Sequence, residues 1–413
     1  MTRLPVADAL ASVLPRQTRV EAYDGSAAGP SDAELVFKVQ SPKALSHLVS
    51  APGELGMARA YVSGELDIDV RDHYTLLRAM TRTKMGDLTS SERLQVLRSL
   101  GREALHWVEP PPQEVGAKRY VAGLRRHSKG RDALAISHHY DVSNLFYSWV
   151  LGPSMAYTCA VYPTEQATLE QAQEEKFDLV CRKLGLKAGM RLLDVGCGWG
   201  GMAMHAAEHY GVDVVAVTLS RQQAEWGQKT AADRGIAVDI RFSDYRDVQE
   251  TGFDAISSIG LTEHIGIAQL PSYAAFLAGK LLPQGRLLNH CITRPDDHSA
   301  AISKRGFIPR YVFPDGELPG VGRIVSVLQR AGLEVRHEEN LREHYARTCQ
   351  AWCDNLDAHW DEAVAEVGLG TARVWALYLA GSRLGFETNR IQLHQVLAVK
   401  SSDGVSGMPL RGW

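Results

Sequence analysis

RLLDVGCGWGGM, residues 191–202, is a short apolar run closed by Asp194 that turns through Gly196, Gly198, Gly200 and Gly201 into MAMHAAEHY, a stretch of helical composition. The order is strand, tight turn, helix. Glycine lets the backbone take φ > 0 and approach a ligand with no Cβ in the way, and the start of a helix presents unpaired N–H groups to it. Dinucleotide-binding folds use a glycine-rich turn at the same place, so the turn marks a ligand crossover without naming the ligand.

Downstream, residues 214–217 form an apolar run rich in β-branched side chains, 221–234 are helical, 236–242 make a third strand ending at Ser243, Asp244 and Tyr245, and 253–259 a fourth. Strands alternating with helices at this spacing predict parallel pairing with right-handed crossovers, an α/β doubly wound, Rossmann-like sheet whose ligand lies outside the carboxyl ends of the strands. Gly196, Thr218, Gln223, Tyr245 and Glu263 all fall at those ends. An acidic residue usually follows the second strand to hold ribose hydroxyls, but here the chain reads VVAVTLSRQQ. Thr218 and Gln223 are then left to make the ribose contacts, which argues against NAD.

A chain of 413 residues fits two domains better than one. Its 45% hydrophobic and 23% charged residues are ordinary for a globular protein, and a net charge of −3 excludes bulk electrostatic capture of nucleic acid. Six cysteines without scaffold spacing fit a reducing cytoplasm. The first residues, MTRLPVADALASVLPRQ, do not read as a signal peptide, and no run reaches membrane-spanning length, so contact with lipid is expected to be peripheral. Residues 33–80 alternate strand-like and helical pieces, a small α/β unit, within which 53–69 hold no constellation of nucleophile, base or metal ligands. WVEPPPQEVG, residues 107–116, reads as a stiff linker in polyproline II geometry. Lys118, Arg119, Arg125, Arg126, Lys129 and Arg131 follow without an acid before Asp132. That run is either a solvated surface or an attraction to anionic head groups, worth about 1 kcal/mol per basic residue.

The glycine-rich turn, as D-V-G-C-G-W-G, resembles motif I of the class I S-adenosylmethionine (SAM) methyltransferases. Further stretches resemble the cyclopropane fatty acid synthase family, SAM-dependent enzymes acting on cis double bonds of phospholipid acyl chains: GELGMARAYVSGELDI from Gly53, HHYDVSNLFY from His138, MAYTCAVY from Met155, VTLSRQQ, DYRDV from Asp244, IGLTEHIG from Ile259, RYVFPDGELPG from Arg310, EHYART and IQLHQVLAV. The resemblance implies an N-terminal lipid-associated α/β domain over 1–110, a Pro-rich and basic linker over 111–131, and a methyltransferase domain over 132–413 with an acyl-binding lid near 294–322. By motif position it implies SAM contacts at Tyr157, Thr158, Gly196, Thr218, Leu219, Gln223 and Tyr245, with Gly198, Gly200, Asp244 and Ile259 in the same motifs. It implies no metal. A bound bicarbonate would serve as base, held at Cys159, Glu263, His290, Ile292 and Tyr345.

The chemistry asks for such a site independently. An alkene attacking an activated methyl needs no protein nucleophile, but the resulting cation must be steadied in a water-free pocket and then lose a proton. A carboxylate attracts sulfonium and cation alike, more strongly in low dielectric, and Glu263 at the end of the fourth strand is the candidate. Two departures from the family pattern bear on the product. Thr262 replaces the aromatic residue that usually precedes the glutamate, and LLNHCI places Asn289 before His290 and Cys291 after it. Losing an aromatic face changes where a cation rests. This variant resembles actinobacterial fatty-acid methyltransferases that make 10-methylene chains from oleoyl groups. The resemblance therefore implies a methylene-branched product, with a cyclopropane as the alternative and a non-catalytic lipid- or SAM-binding protein as the second. It also implies a cytoplasmic enzyme peripheral to the inner membrane face, a homodimer, unsaturated phospholipid acyl chains as substrate and a separate reductase acting on the methylene product.

Overall fold

The computed structural model describes residues 5–12, 14, 17–69, 73–81, 106–114, 129, 143–298 and 306–411. The chain forms two compact units: Met1–Arg119 with Ser303–Pro314 and Leu356–Leu384, and Tyr120–Ile302 with Asp315–Asn355 and Gly385–Trp413.

The first unit contains α1 (Val6–Ala11) and a four-stranded sheet in the order β2-β1-β3-β4, made of β1 (Thr18–Ala22), β2 (Ala27–Ala28), β3 (Leu35–Val39) and β4 (Leu66–Asp69). Along β3, Leu35, Phe37 and Val39 are buried and alternate with half-buried Val36 and Lys38, the period-two pattern of a sheet covered mainly on one face. Two helices, α2 (Pro42–Ser50) and α3 (Glu54–Val62), join β3 to β4, and α4 (His73–Thr81) follows. α2 starts where it does because Ser41 accepts from Lys43 N and Pro42 takes the first helical position. The prolines expected to form a linker lead instead into an anchor. Glu114, its side chain fully buried, accepts from Arg59 Nε at 2.6 Å and Nη2 at 2.7 Å and also pairs with Arg310. Residues 356–384, expected in the methyltransferase domain, also belong to this unit: Arg373 donates to Tyr61 O at 2.7 Å and to Asp67 at 2.9 Å. The basic run from Lys118 lies outside the described residues except for Lys129, which pairs with Asp247 at 2.5 Å.

The second unit carries a seven-stranded sheet in the order β10-β11-β9-β8-β5-β6-β7. Its elements are α5 (Asn144–Leu151), α6 (Leu169–Leu184), β5 (Arg191–Val195), α7 (Gly201–Tyr210), β6 (Asp213–Thr218), α8 (Arg221–Arg234), β7 (Asp239–Phe242), β8 (Phe253–Ile259), α9 (Thr262–Ile265), α10 (Leu270–Lys280) and β9 (Leu281–Thr293). After α11 (Phe307–Tyr311), a helix of the first unit, come α12 (Val321–Arg330), β10 (Glu334–Asn340) and α13 (Arg342–Ala358). The chain then runs through α14 (Trp360–Val367) and α15 (Leu369–Glu387) to β11 (Gln392–Val399).

β7, β6, β5, β8 and β9 run parallel, and β11 inserts antiparallel between β9 and β10. The fold is mixed α/β and Rossmann-like. Strand order reverses between β5 and β8, so their carboxyl ends form the crevice where such sheets bind ligands. β5 and β8 are buried along almost their whole length, as central parallel strands covered on both faces are. The third strand starts at Asp239 rather than the expected Ile236, because α8 closes on left-handed Gly235: Gly235 N bonds Ala232 O and Ile236 N bonds Ala231 O, a Schellman cap that holds Ile236 to the helix. No helix of the described residues is long and apolar enough to cross a membrane.

Candidate functional site

At the β5 end the backbone turns sharply. Gly196 and Cys197 both donate to Val217 O at 2.9 Å, tying the turn to β6, and Gly196, Gly198 and Gly200 take φ of 77°, 56° and 83°. A cleft opens above it. Nine expected cofactor residues line it: Tyr157, Thr158, Gly196, Gly198, Thr218, Leu219, Gln223, Tyr245 and Ile259. A Cβ on Gly198 would meet no protein atom within 4 Å, so any side chain there enters open space. Thr218 Oγ1 donates to Gln223 Oε1 at 2.8 Å, so the two ribose candidates act as one unit where an acid would otherwise stand.

Two expected contacts lie elsewhere. The Asp244 carboxylate caps the following turn and is engaged by Arg246, at 2.9 Å to N and 2.8 Å to Nε. Its neighbours Ser243 and Tyr245 line the cleft instead. Gly200 is a packing residue, since a Cβ there would sit 2.7 Å from Ile240 Cδ1. Gly201, Asp194 and Lys176 line the cleft without having been expected there.

Beside this cleft lies a buried polar group. Glu263, on α9, accepts from Ile292 N through Oε1 at 2.7 Å, while its Oε2 has no partner among the described residues. Burial raises its carboxyl to about 7. His290, on β9, is fully buried, with Gln395 Nε2 3.2 Å from its Nδ1. Gln395 Oε1 accepts from Lys183 Nζ at 2.7 Å, and Lys183 Nζ is 2.5 Å from Glu339. With its oxygen held by an ammonium, the Gln395 amide must present its N–H to Nδ1, which places the imidazole proton on Nε2. Burial holds His290 neutral, far below its usual range, and Nε2 is a second buried atom without a partner among the described residues. The thiol of Cys159 is pushed far up by burial and sits 3.2 Å from Ala160 O and 3.7 Å from Leu341 O, so its proton faces the backbone. Leu341 N in turn bonds Leu393 O, and Leu393 is the β11 partner of Ile292. Tyr345 is one turn along from Leu341, stacked on Phe386 at 4.3 Å and edge-on to Trp352. α13 thus connects Tyr345 to the segment that carries Cys159, since its Thr348 accepts from Ala160 N at 3.0 Å.

The departures from the family pattern form one network. Buried Thr262 donates to Asn289 Oδ1 at 2.7 Å, and Asn289 Nδ2 lies 3.2 Å from Cys291 Sγ. Asn289 and Cys291 alternate with His290 along β9 and so point to its opposite face. The Thr262 hydroxyl is therefore committed to Asn289, and it is not among the cleft-lining residues.

Residues 127–396 match the model of the mycolic acid cyclopropane synthetase family. The chain belongs to that family. Over 400 residues, covering 95% of this chain and 93% of the relative, this family member is 56% identical to a probable fatty acid methyltransferase of Mycobacterium tuberculosis. It is 32% identical over 380 residues to the cyclopropane-fatty-acyl-phospholipid synthase of Escherichia coli, covering 91% and 89% of the two chains. Among solved structures it resembles a mycolic acid cyclopropane synthase complexed with SAH and CTAB, with a TM-score of 0.62 and 31% identity, covering 65% of this chain and 98% of that one. Like its family, this cyclopropane synthetase homologue is a SAM-dependent methyltransferase.

Proposed function

We propose that the protein methylates the cis double bond of an oleoyl-type chain in a phospholipid and releases a 10-methylene-branched chain. Family membership supports the coarser statement, a SAM-dependent methyltransferase acting on fatty acyl lipids. The observation that carries the chemistry is the pair of buried, unpartnered atoms beside the glycine-lined cleft, Glu263 Oε2 and His290 Nε2.

The residues present fit SAM: a turn open at Gly198, a hydrogen-bonded Thr218–Gln223 pair, and aromatic Tyr157 and Tyr245. When bound, SAM supplies an activated methyl whose transfer to an alkene leaves a cation on the acyl chain. The orphan pair also fits bicarbonate, which accepts from a neutral imidazole N–H and shares a proton with a carboxyl; bicarbonate when bound supplies a base. Glu263 steadies positive charge through Oε2, and at about 7 its carboxyl can hold or yield a proton near neutrality. Ile292 N fixes its direction, and Gln395 and Lys183 fix that of His290. Enclosure excludes the water that would trap a cation as an alcohol.

The methylene reading is supported by Thr262. A hydride shift to the neighbouring carbon gives a tertiary cation, which loses a proton from the new methyl to leave an exocyclic double bond. Thr262 is itself bonded to Asn289 and lies off the cleft, so its effect on where the cation rests is exerted through the seating of the neighbouring Glu263. Peripheral contact with an anionic membrane surface through the basic run near residues 118–131, an acyl-binding lid near 294–322, a homodimer and a separate reductase acting on the product belong to the same proposal. The test is incubation with SAM and dioleoyl phospholipid vesicles, followed by ozonolysis and mass analysis. The product is expected to gain one CH₂ and still cleave at an alkene; a chain that resists ozonolysis would overturn the methylene reading. Thr262→Phe is expected to move some product toward the resistant isomer, against an overpacking cost of roughly 1–3 kcal/mol.

A further inference from the structure

α9 is a single turn, Thr262–Ile265, with no side-chain cap at its start, and it stops at Gly266, where φ is 83°. A helix this short has too few internal bonds to hold itself, so its place is set by what surrounds it. Thr262 is fixed through Asn289, and the Glu263 side chain through Ile292 N. The main chain of Glu263 needs a support of its own. Had the helix continued, Glu263 O would accept from Ile267 N, four residues on. At Gly266 the chain turns away, and that acceptor and that donor are left to find other partners.

Glu317, in the RYVFPDGELPG stretch, satisfies both. Its N–H donates to Glu263 O at 3.1 Å, and its Oε2 accepts from Ile267 N at 2.9 Å. One residue therefore stands in for the missing helical bond, with its backbone at one end and its carboxylate at the other. The segment that carries it is itself docked. Pro319 O accepts from Arg294 N at 3.0 Å, Gly320 N donates to Asp297 Oδ1 at 2.7 Å, and Asp297 Oδ2 accepts from Arg323 Nε at 2.9 Å. Arg294 follows directly on β9 and lies just beyond Ile292. The same strand end thus orients the Glu263 carboxylate and seats the residue that holds the Glu263 main chain.

We propose that Glu317 is a positioning residue for the reaction: by bracketing the α9 turn it fixes the direction of Glu263 Oε2. It acts through Glu263 and is not among the residues that line the cleft. This rests on the reading of Glu263 given above.

The test uses the full chain with Glu317→Gln, which keeps an oxygen to accept from Ile267 N, and Glu317→Ala, which does not. Glu317→Leu takes the place of the alanine variant if circular dichroism shows that the latter does not fold. Turnover is measured with SAM and dioleoyl phospholipid vesicles and SAH affinity by calorimetry, and each substitution is repeated in Glu263→Gln. Turnover of Glu317→Ala is expected to fall roughly ten- to hundredfold, the scale of a hydrogen bond to a charged group, with SAH affinity within about threefold and Glu317→Gln within about threefold of wild type. In the Glu263→Gln background the further loss from Glu317→Ala is expected to stay within about threefold, because the carboxylate to be aimed is absent. The same fold loss in both backgrounds would overturn the proposal and leave Glu317 a structural bond. So would unchanged turnover in folded Glu317→Ala, or a Glu317→Gln variant as impaired as Glu317→Ala. Wild-type protein without turnover, or Glu263→Gln with full turnover, would instead sink the reading of Glu263 itself.

Discussion

Glu263→Gln removes one charge and little else. The amide oxygen can still accept from Ile292 N, which now lies 2.7 Å from Oε1, so the α9 turn should hold its place. A full carboxylate about 4 Å from a cation contributes roughly 4 kcal/mol at an effective dielectric of about 20, a rate factor of about 10³. Burial sets the carboxyl near 7, so at that pH about half the molecules carry the charge, and the loss is read most fully near pH 8. The assay is turnover with SAM and dioleoyl phospholipid vesicles at pH 8, with SAH affinity measured alongside by calorimetry. We expect turnover to fall by two to three orders of magnitude with SAH affinity within a few-fold, because the lost interaction acts on the cationic transition state. Matching losses in affinity and turnover would refute the reasoning and make Glu263 a cofactor anchor.

The same residue leaves a mark on stability. A carboxyl raised from 4.5 to about 7 on folding stabilises through its protonated form, fully below pH 4.5 and progressively less as pH rises through 7. Relative to Glu263→Gln, the wild type should therefore lose up to roughly 3 kcal/mol across that window in urea titrations, and parallel curves would contradict the burial argument. Gly198→Ala, strained at φ 56° but meeting no protein atom, should weaken SAH binding as well as lower Tm, whereas Gly200→Ala, strained at φ 83° and meeting Ile240, should lower Tm with SAH affinity nearly unchanged; calorimetry distinguishes the two. Gln395→Leu frees His290 Nδ1, so imidazole ¹⁵N NMR should show the loss of a single Nε2–H tautomer, with turnover down by about tenfold, the scale of one hydrogen bond. An unchanged ring spectrum would show that another group fixes the tautomer.

The parallel part of the sheet was legible because its signals are local. The glycine turn, the bounds of β8 and the span of α8 were each readable from local sequence, and the Schellman closure at Gly235 and Ile236 displaced the start of β7. β10 carried no such signal: EVRHEEN is an edge strand with alternating exposure and no apolar run, formed because β11 pairs with it. The assignment of residues 356–384 to the first unit was hidden for a similar reason. Arg373 is buried through Tyr61 and Asp67, partners some three hundred residues away that no local pattern announces. At the site, motif position picked nine residues that line the cleft, whereas Asp244, picked with them, does not, because its carboxylate is engaged by Arg246, a matter of side-chain geometry. Lys176 left a trace, since it and Lys183 are lysines seven residues apart on the buried face of one helix, yet its bond to Thr158 and its place in the cleft lining are what show that it faces a site.

The most direct measurement is ¹³C NMR of phospholipid recovered after reaction with [methyl-¹³C]SAM. We expect the label in an exocyclic methylene carbon of the oleoyl-derived chain, in the alkene region of the spectrum. Label in an upfield cyclopropyl carbon would contradict the product assigned here, and no label in the acyl chain would contradict the function itself.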